Sequence, residues 1–202
     1  MARRAALVSA LLLLCLPATA AANGDPASDY LLAQSTFLPF GAKIDSGAVK
    51  RLQDVIRQSD KSGFKIKAAL ILTPQDLGTP FSLFNKPQRY AEFLGLELSF
   101  VYRGRLVVVM PKGFGYTIGG DPDPKAARVL TRLAPPGADA TKEAQAATLA
   151  IQHLAAAGGH RVAAPKSGSA SRDRITIAAA VTAAVALIAG ITLYRRQRTP
   201  RA

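Results

Sequence analysis

The chain has 202 residues, one cysteine and no tryptophan, and its 26 basic side chains outnumber 13 acidic ones. One cysteine excludes a disulfide framework and a thiolate metal cage. The basic excess is scattered, without a dense run or a stacking motif, so nucleic acid is excluded as the partner.

Residues 1–22 read as a secretory signal peptide. Arg3 and Arg4 form the charged start, Ala5 to Leu16 the apolar run, and Pro17 breaks it. Ala18-Thr19-Ala20 and Ala20-Ala21-Ala22 both offer small residues for cleavage. Leu14 stands before Cys15, where a lipid-acceptor cysteine needs a small residue, so Cys15 leaves with the signal.

Residues 23–160 form the expected extracytoplasmic domain. Asn23 to Gly41 reads as an edge strand or packed arm, since its apolar residues keep no clean period. Asp45-Ser46 offers a helix cap, and Val49, Leu52, Val55 and Ile56 recur at helical spacing. Gly63 suits the residue past that helix. Phe64 to Thr73 alternates and then becomes continuously apolar, as a strand entering a covered sheet does. Gln75 to Asn85 is a loop. Pro87 opens a second helix, with Tyr90, Ala91, Leu94 and Leu98 on one stripe. Arg103-Gly104 turns the chain into Arg105 to Met110, a β-branched central strand. Phe114 to Ile118 returns antiparallel, and Gly119 to Pro124 is turn chemistry. Two helices follow, near Pro124 to Leu133 and Ala140 to Ala157, the second capped by Thr141 and ended by Gly158-Gly159. A strand, helix, strand order requires a parallel pair. The fold class is α/β, with helices packed on a small mixed sheet in an α/β/α sandwich, followed by one transmembrane helix.

Residues 161–174 carry Pro165, Ser167, Gly168, Ser169 and Ser171 and read as a flexible tether. Residues 175–194 hold 20 residues without a charge. As a helix they extend about 30 Å, the thickness of a bilayer's hydrocarbon core. Residues 195–202 carry four arginines and no acid, which places this tail in the cytoplasm by the positive-inside rule. The expectation is a single-pass protein of the plasma membrane, held in the lipid bilayer through 175–194. Without the signal, the membrane flank and the tail, 19 basic and 13 acidic residues remain. That positive domain suits an anionic membrane or wall polymer.

The segment from Asp45 to Gly120 resembles the TPM domain, a small module often set between a signal peptide and a membrane helix. VKRLQDVIRQ, GFKIKAALILT, the Tyr90-Ala91 helix and YRGRLVVVMPKGFGYTIGG carry the resemblance. It implies an α/β/α sandwich, placement outside the cytoplasm, calcium binding in some members and acid phosphatase activity in others. This chain departs from the pattern in lacking an acidic pair after its first strand.

Asp76 follows the strand that ends at Pro74, where open α/β sheets favour ligands; the bland alternative is a turn or capping aspartate. Asp121 and Asp123 offer oxygens to a hard cation such as calcium, or simply make turns. Asp76, Asp121 and Asp123 are therefore the candidate metal ligands, and no other cofactor is expected. Gly113, Gly115 and Gly119 read as hairpin glycines and not as a phosphate loop. His153 and His160 lack metal or triad partners in sequence, and Arg103 and Arg105 either bind an anion or make a solvated turn. Phe81, Leu83 and Phe84 are either a partner-docking patch or a lid on the core. Two functions follow. One is a membrane-anchored binding or assembly module of the bacterial cell envelope, partnered by an envelope protein. The alternative is a calcium-dependent phosphohydrolase, which rests on the resemblance.

Overall fold

The computed structural model describes residues 24–162. The signal peptide, residues 163–174 of the tether, the apolar stretch 175–194 and the basic tail lie outside the described residues. Among the described residues, no helix is long and apolar enough to cross a membrane.

Helix α1 (Pro26–Ala33) starts where Asp25 caps it and Pro26 opens its first turn. Strand β1 (Thr36–Phe37) follows, then α2 (Ser46–Lys61), capped by Asp45. Strand β2 (Ile66–Leu70) leads through two 3₁₀ turns, Pro74–Leu77 and Phe81–Leu83, into α3 (Pro87–Leu98). Strands β3 (Arg105–Met110), β4 (Gly113–Ile118) and β5 (Asp121–Pro122) are consecutive, and α4 (Pro124–Leu130) and α5 (Ala140–Ala157) close the domain.

The five strands lie in sequence order in one mixed sheet. β1, β2 and β3 are parallel, while β4 and β5 are antiparallel to their predecessors. Side-chain alternation divides the core between the two faces. Ile66, Ala68, Leu70, Val107 and Val109 pack under α2, α4 and α5. Ala69, Ile71, Leu106, Val108 and Met110 pack under α1 and α3. The central strands are therefore apolar apart from Lys67 in β2 and Arg105 at the start of β3, as burial on both faces favours.

Helix α3 approaches the sheet very closely at two glycines. A Cβ on Gly115 would lie 2.1 Å from the Pro87 carbonyl oxygen, and one on Gly95 would lie 2.8 Å from Gly120 Cα. Gly119 and Gly120 both take positive φ, +62° and +100°. Such a two-residue turn matches the twist of a hairpin, and it folds Asp121 back beside Ile118.

Three sequence expectations change. The amino-terminal arm holds a helix as well as the edge strand. The turn after β4 contains a fifth strand. The cap of α5 is Asp139, whose carboxylate accepts from the Lys142 N–H at 2.8 Å. Thr141 instead accepts from the Asp45 N–H at 3.0 Å, tying α5 to the start of α2.

Candidate functional site

The three candidate metal ligands do not meet. Asp76 sits after the carboxyl end of β2 and is 1% exposed. Its carboxylate accepts from the N–H groups of Phe40 (2.9 Å), Leu72 (3.0 Å) and Thr73 (2.8 Å), and from the Thr73 hydroxyl (3.0 Å). Three donors reach Oδ2 and one reaches Oδ1, so most of the carboxylate's acceptor capacity is used. Asp76 thus fastens the segment after β1 to the turn after β2.

Asp121 pairs with Ile118, which faces Arg105 at the start of β3. It lies on the order of 15 Å along the strands from Asp76, at about 3.3 Å per residue. Asp123 is occupied in capping α4, accepting from Lys125 N–H at 2.8 Å and Ala126 N–H at 3.4 Å. Asp76, Asp121 and Asp123 therefore cannot share one calcium ion, because the β4–β5 hairpin returns the last two to the opposite end of the sheet. Among the described residues, no group of three or more histidine, cysteine or acidic side chains is placed to hold a metal ion.

A different carboxylate stands out. Glu143, in the first turn of α5, is fully buried, and neither of its oxygens has a hydrogen-bond partner. Burial, reinforced by the nearby charges of Asp76 and Asp139, pushes its pKa up to about 8. The sequence hides this residue because it lies one position past the place where a capping-box glutamate reaches back to the helix start.

Other polar groups inside the domain are structural. The Tyr90 hydroxyl lies 2.8 Å from each carboxylate oxygen of Asp25, which also accepts from Ala27 N–H at 2.9 Å. Burial raises the Asp25 pKa to about 6 despite those bonds, and burial raises that of Tyr90 as well. The Lys67 ammonium donates to the carbonyls of Leu31 and Gln34 and lies 5.0 Å from the Tyr102 ring centroid. His153 is exposed on α5. His160 Nδ1 lies 2.6 Å from the Ser62 carbonyl oxygen. Arg103 donates to the Ser99 carbonyl at 3.0 Å, and Arg105 stacks 4.3 Å above the Phe64 ring.

Of the candidate patch, Leu83 and Phe84 are half-buried against the core under α3, and only Phe81 projects, at 66% exposure. Two larger concavities exist. A groove of about 480 Å³ runs between β1 and α2, from Gln34 to Arg57. A cleft of about 500 Å³ lies beside β4, lined by Pro87, Gln88, Lys112, Phe114, Pro124, Ala127, Leu130 and Pro135 among others.

The cleft borders an unfinished strand edge. β5 pairs only with Thr117 and Ile118. At Tyr116 the outward N–H and C=O are taken by the Gln88 side-chain amide, at 3.0 and 3.1 Å. Outward groups recur every second residue, so those of Phe114 face the cleft with no strand beside them. Neither a family model, nor a curated protein, nor a solved structure matches the chain.

Proposed function

We propose that this chain is a membrane-anchored binding or assembly module of the bacterial cell envelope, built on a TPM-type α/β domain held outside the cytoplasm. The observation that carries the reading is the open edge of β4 beside the apolar cleft. A sheet edge offers main-chain hydrogen bonds to an extended segment, and a flanking pocket selects its side chains. The cleft wall supplies Phe114, Leu130 and several prolines. Lys112 and Asp123 both line it, and Asp123 also accepts from the start of α4. The partner chemistry is an extended peptide segment bearing an apolar side chain, presented by an envelope protein.

Ala127 is exposed and lines the cleft, so Ala127→Trp fills it without entering the core. The full chain and this variant are compared by crosslinking and recovery from envelope extracts, with an anchor-only chain as control. Proteins captured by the wild type and lost with Ala127→Trp support the reading. Equal recovery by the variant rejects the cleft as the binding element.

A further inference from the structure

We infer that the end of the domain carrying Phe100 and Val101 docks on the lipid bilayer. The inference rests on the proposed membrane anchor at 175–194. Phe100 is 92% exposed and Val101 71%. They are not loose. The turn after α3 is closed by Val101 N–H and Tyr102 N–H, both donating to the Leu98 carbonyl at 3.0 and 2.7 Å. The Tyr102 hydroxyl then donates to the Arg105 carbonyl at 2.8 Å, and Arg103 ties back to Ser99. Two large apolar side chains are thus held out in water by an ordered turn. Leu96, 59% exposed, stands one helical turn before Phe100.

The same end is where the chain leaves the domain. The Tyr102 hydroxyl also lies 3.4 Å from the Lys65 carbonyl. Lys65 adjoins Phe64, whose ring centroid is 5.4 Å from that of His160. Val162, two residues further on, is the last described residue. Twelve residues, 163–174, then separate it from the apolar stretch. A chain of that many residues can span at most about 40 Å. The anchor therefore holds this face at high local concentration near the membrane, so weak contacts suffice.

Charge agrees with this assignment. Lys61, Lys65, Arg103 and Arg161 are exposed around this end and narrowly outnumber the exposed Asp60, Glu97 and Asp121 there; none of the four joins an ion pair among the described residues. Exposed aromatic and aliphatic groups beside lysine and arginine suit an interface of acyl chains below headgroups.

Because the chain has no tryptophan, Phe100→Trp places a single fluorophore at the contact. Phe81→Trp places one beyond the opposite end of the sheet, after β2. Both positions are exposed, so neither variant threatens the core. The full chain is reconstituted in phosphatidylcholine vesicles containing phosphatidylglycerol, with or without brominated acyl chains, and vesicle flotation reports anchoring. The expected result is blue-shifted Phe100→Trp emission quenched by brominated lipid, as for an aromatic residue at the membrane interface, with Phe81→Trp unshifted and unquenched. A floating chain whose Phe100→Trp emission is unquenched overturns the docking and leaves the anchor standing. A blue shift without quenching assigns the patch to a protein contact and likewise overturns the bilayer. A chain that does not float overturns the anchor, and the docking with it.

Discussion

Glu143→Gln should remove a pH dependence that the wild-type domain carries. The Glu143 carboxylate is fully buried without a partner, and its pKa rises from 4.5 to about 8 on folding. The folded state therefore binds a proton that the unfolded state has released between those values. Stability from this group is fully present below about pH 4.5 and is lost as pH rises through 8. Each unit of difference corresponds to about 1.4 kcal/mol, so the loss between pH 6 and 8 is about 2 to 3 kcal/mol. The amino end of α5 opposes it, since a helix start favours a negative charge, but by only about 0.3–1 kcal/mol. Burial wins. Asp25, with its pKa raised to about 6, loses its contribution in a lower window, from about pH 4 to 6, and does not obscure the effect. Urea unfolding of residues 24–162, followed by circular dichroism at half-unit steps of pH, measures it. Wild type should weaken steadily from pH 6 to 8, Glu143→Gln should stay flat, and the two should converge below pH 5. A variant that keeps the wild-type slope refutes the reasoning, because the carboxylate would then be solvated or paired in the folded state.

Two further outcomes test how the site is built. Asp76→Ala leaves the partly buried N–H groups of Phe40, Leu72 and Thr73 without their acceptor; a destabilisation of about 2 to 3 kcal/mol is expected, read as a shift in the urea midpoint. Gly115→Ala drives a methyl against the Pro87 carbonyl, and should cost about 3 kcal/mol by forcing α3 off the sheet. Unchanged thermal unfolding of Gly115→Ala would show that the contact is not tight.

Legibility in the sequence followed the strength of local signals. Helix α2 announced itself through the Asp45 cap and a four-residue apolar stripe, and β3 through an unbroken β-branched run between turns. Helix α1 did not, although Asp25-Pro26 is a start signal. Only Ala27 and Leu31 of that helix are buried, too few to show a period. Strand β5 has two residues and exists only because two glycines of positive φ turn it back. The metal candidates failed for a related reason. Asp76 and Asp121 share a residue type, but sheet register decides which end of a strand each reaches. Glu143 was invisible because a charged residue beside the Ala144, Ala147, Ile151 and Leu154 stripe reads as solvent-facing, and its burial arises from the packing of α5 on α2 and the sheet.

Helix α3 connects the two proposed contacts. Its amino end, Pro87 and Gln88, forms part of the β4 cleft, and its carboxyl end delivers Phe100 and Val101. Its 12 residues extend about 18 Å. A bilayer engaged by Phe100 would point α3 outward and hold the Pro87 end of the cleft about that far above the membrane. The partner would then approach from outside, along the open edge of β4, without displacing the docked end. The two contacts are therefore separable. Filling the cleft at Ala127 should leave lipid quenching of Phe100→Trp unchanged, and a variant that lost both would mean that partner and membrane share one surface.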